Sequence, residues 1–252
     1  MEQPNSPETA AARLLEAALP HVPFDGWSET TLRAAIADSD VAEGLARALF
    51  PRGGIDLAVA YHRQGDTRMV AALAASDLAA MRFRDRIAHA VKLRLDVVED
   101  RELVRRGTTL FSLPQHAPEG AKLIWGTADA IWVALGDTST DVNWYSKRAT
   151  LSAVYAATVL YWLGDDSPDH EATWAFLDRR IAAGVVGMPV GVPDLRNLPA
   201  ELFRLFQNGG CNGRVDHHGL PAHRFVDQPD IIIGQDRNAD NLQRHYQLPT
   251  LG

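Results

Sequence analysis

Cysteine and long apolar runs are almost absent from this chain. Cys211 is the single cysteine among 252 residues, which excludes an intramolecular disulfide framework and a cysteine-rich zinc module. No stretch approaches the roughly 18 consecutive apolar residues of a membrane-spanning helix. The first twenty residues show neither a secretory signal nor an Arg-rich transit peptide. These absences predict a soluble protein of a reducing compartment, and they leave binding to a membrane surface open.

Basic residues are also in deficit. Lys and Arg number 25 against 32 Asp and Glu, so the formal net charge is −7. Proteins that bind DNA or RNA need a basic face for phosphate contacts, so an acidic chain predicts no nucleic-acid partner. Apolar residues make up 46% of the chain, which is ordinary for a globular protein whose core needs no covalent staple.

The composition changes near residue 182. All six tryptophans precede that point, whereas residues 183–252 hold nine glycines, six prolines, four histidines and no lysine. We therefore predict a three-helix head (residues 1–54), a helical body (residues 55–182) and an irregular Gly/Pro-rich tail (residues 183–252).

Helical periodicity runs through the head and the body. Apolar residues recur at spacings of three and four, for example at Phe83, Ile87, Val91 and Leu95. A helical region from Ile55 to about Ala80 is predicted to be broken near Gly65. No segment shows sustained strand alternation. The expected fold is an all-α bundle of about nine helices.

The sequence shows no sign of a catalytic or metal site. It contains no nucleophile elbow, phosphate loop or dinucleotide fingerprint. No Glu precedes a His by three positions, as di-iron bundles require. The spacing of Cys211, His217, His218 and His223 matches no standard zinc pattern. We predict no catalytic residues, no metal and no enzymatic activity, and interpret the chain as a binding protein.

A basic stretch at residues 82–106 allows two interpretations. It carries eight Lys or Arg residues against five acids. Such a stretch is typical of a patch that binds anionic lipid or a partner. It is equally typical of the solvated outer face of an amphipathic helix, which is the interpretation that we prefer.

The head resembles the DNA-binding head of TetR-type repressors, with three short helices closed by Leu49–Gly54. In that family the second helix of the motif enters the major groove. Here that helix covers residues 42–50 and has one Arg and one Glu, and residues 28–50 have a net charge of −2. We therefore expect a retained fold without DNA binding. A TetR-type transcription regulator that binds an apolar effector remains the alternative.

The most specific motif is Gly136–Arg148, with the sequence GDTSTDVNWYSKR, followed by Asp166–Asp169 and Thr173–Ile181. It resembles the ninth coenzyme Q biosynthesis protein family, a family of lipid-binding accessory proteins of ubiquinone synthesis. The resemblance extends over about residues 8–182 and implies a TetR-like fold without DNA binding. The family usually continues into a membrane-binding amphipathic helix, but here the resemblance ends after Ile181.

The resemblance implies a function and a site. Such proteins are not enzymes; they hold an isoprenoid quinone precursor in an apolar cavity and present it to the demethoxyubiquinone hydroxylase. The residues carried over to this chain form what we call the partner patch: Trp132, Asp137, Ser139, Thr140, Asp141, Trp144, Tyr145 and Arg148. A pair of adjacent aromatic residues with an Arg one turn on is also the composition of an interface anchor.

The walls of the lipid cavity are expected from the apolar helix faces of the body, since burial of a polyisoprenoid tail needs only apolar surface. We name these residues the lipid set: Phe83, Ile87, Val91, Leu123, Ala128, Ile131, Leu151, Val154, Tyr155, Thr158, Val159 and Trp162. By analogy with TetR-like bodies, residues 142–181 are expected to form a homodimer. The expected location is the cytoplasmic face of a bacterial inner membrane, bound peripherally, with a mitochondrial form as the alternative.

Overall fold

The computed structural model describes residues 6–184, and all of them lie in one compact unit. All regular structure within this range is helical, as predicted, and the range contains no β-strand. The helices are α1 (Pro7–Ala18), α2 (Val22–Asp25), α3 (Glu29–Asp38), α4 (Glu43–Leu49), α5 (Gly54–Ala74), α6 (Phe83–Asp96), α7 (Arg101–Ser112), α8 (Ala117–Ala134), α9 (Val142–Leu163) and α10 (Glu171–Gly184), with a 3-10 turn at Pro168–His170.

Ten α-helices in the described range compare with the nine or so that the sequence predicts. The additional element is the four-residue helix α2. We expected Pro20 and Pro23 to end the first helix without starting another. Pro23 instead lies in the first turn of α2, where a helix makes no use of the missing N–H.

Side-chain caps determine where several helices begin. The Ser6 hydroxyl accepts a hydrogen bond from the Thr9 backbone N–H at 3.2 Å at the start of α1. Ser28 accepts one from the Thr31 N–H at 3.3 Å at the start of α3. The Asp141 carboxylate caps α9 in a similar way. Each cap satisfies one N–H group that has no partner within the first turn of its helix.

The head is built from α1, α3 and α4 around its own apolar cluster. Leu14, Leu32 and Ala46 are completely buried there. Helix α7 packs against this cluster, because the Trp27 indole N–H donates to the Leu103 carbonyl at 3.0 Å. The head is thus tied to the body by a buried hydrogen bond as well as by the chain itself.

Helix α5 is continuous across Gly65, so the predicted break there is wrong. The glycine serves a packing purpose instead. A methyl group at Gly65 would lie 2.7 Å from the guanidinium carbon of Arg94 on α6. The Arg94 side chain therefore occupies the space that any larger residue at position 65 would need. The helix also ends earlier than predicted, at Ala74 rather than about Ala80.

The second apolar cluster fills the body between α5, α6, α8, α9 and α10. Met69, Ile87, Ile131, Leu151 and Leu177 are at most 2% exposed within it. This burial follows from the helical periodicity of the sequence, and it produces a tightly packed interior.

The basic residues of α6 and α7 are engaged in packing. Arg94 is 4% exposed. Arg101 and Arg105 donate to backbone carbonyls at the carboxyl end of α9 and just beyond it, at distances of 2.7 to 3.1 Å. Arg106 donates to the Pro23 carbonyl at 2.6 Å. Arg101 and Arg105 therefore stabilise the end of α9, and Arg106 stabilises the head–body contact, while their side chains stay 33% to 50% exposed.

The C-terminal part of the chain lies outside the described residues. Helix α10 runs to Gly184, two residues beyond the predicted end of the body. The predicted tail and its Cys211, His217, His218 and His223 are not covered. Within residues 6–184, no three His, Cys, Asp or Glu side chains are placed to hold a metal ion. In the same range no helix has the length and apolar character needed to cross a membrane.

Candidate functional site

The partner patch lies around the connection between α8 and α9. Helix α8 ends with a turn in which Gly136 adopts a φ of 80°, a left-handed conformation that favours glycine. The Asp137 N–H then donates to the Trp132 carbonyl at 3.0 Å. At the other end of the connection, Asp141 accepts from the Asn143 N–H at 3.0 Å and starts α9. The connection thus has a defined turn at one end and a capping residue at the other.

Arg148 forms the buried base of this connection. Its side chain is 2% exposed. It donates to Asp129 on α8 at 2.5 Å and to Asp137 at 3.0 Å. Its guanidinium also lies 4.1 Å from the ring centre of Trp144, within the range of a cation–π contact. Arg148 was expected to contact a partner directly; in this position it instead holds together the elements that carry the patch.

Asp137 is the second buried member of the connection. Its carboxylate accepts from Lys147 at 2.7 Å, from Ser139 at 2.8 Å and from Arg148. Burial alone would raise the pKa of this carboxyl, but the three hydrogen bonds outweigh it and lower the pKa to about 2. The carboxylate therefore stays ionised at neutral pH and fixes both cations of α9.

Trp132 is also buried rather than part of an outer surface. It is 2% exposed, with the Phe83 ring 5.8 Å away and the Lys147 ammonium 5.3 Å above its own ring. Its indole N–H has no hydrogen-bond partner among the described residues. Three of the eight predicted patch side chains, Trp132, Asp137 and Arg148, thus support the connection from below.

The exposed members of the partner patch stand at the start of α9. Thr140 and Asp141 are exposed, Tyr145 is 44% exposed and Trp144 is half-buried. The Trp144 and Tyr145 rings meet edge to face at 4.7 Å, and Trp125 on α8 lies 5.9 Å from Trp144. These contacts orient an aromatic surface beside the cap of α9.

Several residues of this region were not predicted from the sequence. Val142 and Val133 are 65% and 57% exposed and add apolar surface on either side of the connection. Asp129 and Lys147 supply the ion pairs described above. The exposure of Val142 had no signal in the sequence, because a single Val between polar residues is ordinary.

The lipid set is the packed core of the body. Ten of its members are buried, whereas Phe83 is 49% exposed and Val159 is partly buried. Eight of the twelve belong to the same buried cluster between α5, α6, α8, α9 and α10. The structure therefore brings the lipid set together as closely packed side chains.

The two best-defined hollows in the described residues lie away from the lipid set. The larger of the two best-defined ones, about 280 Å³, is a shallow polar depression on the head beside Arg13 and Asp38. The other, about 10 Å³, adjoins Arg94 and Gly65 and has room for a single water molecule. Neither is lined by members of the lipid set, whose buried side chains pack against one another.

A buried polar network, also missed from the sequence, crosses this interior. Arg94 on α6 donates to Asp66 at 2.7 Å and to the His62 carbonyl at 3.1 Å, both on α5. The Thr127 hydroxyl on α8 donates to Asp66 at 2.9 Å and hydrogen-bonds with His62 at 2.8 Å. Burial lowers the pKa of His62 to about 4, so its ring is neutral at physiological pH. On α9, burial raises the pKa of Tyr155, whose hydroxyl hydrogen-bonds with Thr127.

Residues 117–185, which contain the patch connection and most of the lipid set, match a known family. A family model described as COQ9 covers this range, which corresponds to α8, α9 and α10. These residues are similar to the COQ9 family. The family resemblance that rests on Gly136–Arg148 is thereby confirmed.

Curated relatives extend the COQ9 similarity upstream. The human "Ubiquinone biosynthesis protein COQ9, mitochondrial" is 32% identical over 191 residues, which are 71% of this chain and 59% of that protein. The Xenopus tropicalis protein of the same name is 32% identical over 185 residues, 70% of this chain and 58% of its own. The Drosophila melanogaster protein is 31% identical over 179 residues, with shares of 69% and 55%. The chain therefore spans 55% to 59% of the length of these COQ9 relatives.

A solved structure shows the fold. The TetR transcriptional regulator from Nitrosomonas europaea ATCC 19718 superposes with a TM-score of 0.57 and covers 70% of this chain and 98% of that regulator. The sequence identity is 18%, so the likeness concerns the fold alone. The expected TetR-like all-α fold is confirmed.

Proposed function

We propose that this chain is a non-enzymatic accessory protein of ubiquinone biosynthesis that binds an isoprenoid quinone precursor and presents it to the demethoxyubiquinone hydroxylase. The observation that supports this proposal most is the match of residues 117–185 to the COQ9 family model, because this range includes the exposed aromatic surface at the start of α9. The described residues offer apolar contact surface and a packed apolar interior, which suit binding rather than bond-breaking chemistry.

The hydroxylase would contact the exposed members of the partner patch. Tyr145 and Trp144 supply the aromatic anchor, and Thr140 and Asp141 supply a polar rim. Interfaces gain most of their affinity from such buried aromatic anchors. In this arrangement Arg148, Asp137 and Lys147 act indirectly by fixing the connection on which the anchor stands.

The isoprenoid would enter the body among α6, α8 and α9, where the lipid set lies. Its binding would replace contacts among apolar side chains with contacts to an apolar tail, at roughly 25 cal/mol for each Å² removed from water. Because the lipid set is packed, binding has to be accompanied by a separation of helices.

Mass spectrometry of lipids extracted from the purified protein tests this proposal. A prenylated quinone or precursor should accompany the wild type and be lost from Val159→Arg, which places a cation at the edge of the apolar core. The matched control is Leu160→Arg, at the neighbouring position on α9, which is 60% exposed. Equal amounts of unspecific phospholipid in all three proteins would contradict lipid binding by the body.

The alternative of a TetR-type regulator with an apolar effector is weakened by the charges of the head. Arg47, the Arg on α4, pairs with Glu29 at 2.7 Å and with Glu43 at 3.4 Å. It is thus neutralised where a DNA-binding helix would offer phosphate contacts. A gel-shift assay on DNA from the protein's own locus would show no retained fragment under this proposal.

The proposal also concerns the cellular location of the protein, its contact with a membrane surface and its oligomeric state. The curated relatives carry mitochondrial names, which favours a mitochondrial form over the bacterial inner-membrane location expected from the sequence. Peripheral contact with a membrane surface and a homodimer through α9 and α10 stay predictions. Leu160 and Tyr161 offer exposed apolar surface on α9 for such a contact, with Tyr161 stacked on Phe176 of α10 at 4.5 Å.

A further inference from the structure

Of the helices that enclose the interior of the body, α6 differs from α8 and α9 in composition. Six of the fourteen residues of α6 are charged, whereas α8 has three charged residues in eighteen and α9 has two in twenty-two. The apolar residues that α6 buries are confined to Ile87, Ala90, Val91 and Leu95. Of the three helices that carry the lipid set, α6 therefore gains the least from apolar burial and is the least costly to detach.

Polar contacts compensate for this weak apolar attachment. The Arg94 side chain, 5% exposed, enters the space beside Gly65 and pairs with Asp66, whose side chain is 16% exposed. It also reaches the His62 carbonyl on the preceding turn of α5. Near the middle of α6, His89 hydrogen-bonds with Ser76, just after the end of α5, at 3.0 Å.

The same hydrogen-bond network extends from α5 to α8. Asp66 accepts from Thr127 on α8 as well as from Arg94 on α6. One carboxylate thus joins the most charged wall to the next helix across the packed interior. Removal of one partner of such a buried ion pair is costly as long as the helices stay closed, because the other partner is left as an uncompensated buried charge.

We propose that α6 is the movable wall of the lipid site and that the Arg94–Asp66 pair is the latch that holds it closed. This inference rests on the proposed function, because the isoprenoid tail is the ligand that the opening would admit. When the pair separates, both charged groups can reach water, whereas the apolar residues of α6 and the lipid set become available to the tail. A lipid that fills the gap offsets the lost apolar contacts and stabilises the open state.

The first test measures opening directly by amide hydrogen exchange of the full chain. Asp66→Asn preserves the side-chain volume and removes the charge that holds Arg94. Exchange in α6 should rise on the order of tenfold or more, with a smaller change in α8 and α9. Arg68→Met is the matched control, since Arg68 joins α5 to the connection just after α6 through an exposed pair with Glu99 at 3.0 Å and should leave exchange nearly unchanged.

The second test measures the uptake of a probe. Phosphatidylcholine vesicles loaded with a ubiquinone that has a ten-carbon tail are mixed with protein, and quenching of tryptophan fluorescence reports transfer. Asp66→Asn and Arg94→Met should each accelerate transfer several-fold. Leu32→Ala, which creates a cavity in the head far from this site, lowers stability without touching the latch and should not accelerate it.

The outcomes separate the latch from the proposed function. Faster exchange in α6 together with faster uptake in the latch variants supports both. Faster exchange without quinone uptake by any protein supports the latch and contradicts the proposed lipid binding. Uptake by the wild type with no acceleration in the latch variants, or equal acceleration in Leu32→Ala, overturns the latch.

Discussion

The guanidinium of Arg148 lies 4.1 Å from the ring centre of Trp144, one helical turn away, while it donates to two carboxylates from α8 and the following connection. This arrangement links the exposed aromatic surface to the buried ion pairs beneath it. A side chain that would ordinarily face water is enclosed, so its energetic role is structural. Removal of Arg148 and removal of the surface aromatic should therefore have different consequences.

Arg148→Met should lower the free energy of unfolding by about 3–5 kcal/mol, because it removes the buried cation that pairs with both Asp137 and Asp129. Urea denaturation followed by circular dichroism measures this loss. Arg33→Met, on the exposed face of α3, is the control and should stay within about 0.5 kcal/mol of the wild type. A loss of similar small size in both variants would mean that the Arg148 network contributes little.

Under the proposed function, Tyr145→Ala should weaken binding of the demethoxyubiquinone hydroxylase on the order of tenfold or more, because it truncates an exposed aromatic anchor. Stability should change little, since 44% of the side chain already faces solvent. Calorimetric titration of the purified enzyme into the protein measures the dissociation constant. Phe24→Ala removes an 83% exposed aromatic from the head and should bind like the wild type. Equal affinity for both variants would exclude Tyr145 from the interface.

The sequence predicts the fold well, but it does not distinguish core residues from cavity-lining residues or buried patch residues from exposed ones. Individual residues show why. The helical spacing of Ile87, Val91 and Leu95 identifies a buried face, and all three are buried. The same spacing is typical of a core and of a cavity wall, so it could not predict that the lipid set is packed. Arg148 is of a residue type that is common at interfaces. Its burial depends on carboxylate partners that are remote in sequence, which only the structure reveals.

The polar network had a signal that was available but unused. His62 and Asp66 follow Ala58 at intervals of four, along the stripe of α5 that continues to Met69 and Leu73. Polar residues at core-facing helical positions are unusual and call for partners from other helices. Their partners Arg94 and Thr127 come from sequence positions 28 and 61 residues away from Asp66, which no local pattern identifies.

Buried His62 should make stability depend on pH. Its pKa is about 4 in the folded protein against roughly 6.5 in an unfolded chain, so between these values the unfolded chain binds a proton that the folded one does not. The free energy of unfolding should therefore fall as the pH falls from about 6.5 to 4, by up to ~1.4 kcal/mol for each pH unit. His62→Gln should remove this component, measured by urea denaturation at several pH values. Parallel curves for the two proteins between pH 4 and 6.5 would contradict it.

Substitution by Ala should lower the stability of the protein at Gly65 and raise it at Gly126. Both lie inside helices, where replacement of Gly by Ala usually stabilises by about 1 kcal/mol. At Gly126 the new methyl group meets nothing within 4 Å, so the stabilisation should appear. At Gly65 it would lie 2.7 Å from the Arg94 guanidinium, which is held by Asp66 and cannot move without breaking that pair. Gly65→Ala should therefore destabilise by about 1–3 kcal/mol in urea denaturation. If both variants are stabilised alike, the Arg94 side chain has room to retreat, and its position beside α5 is not a fixed constraint on the fold.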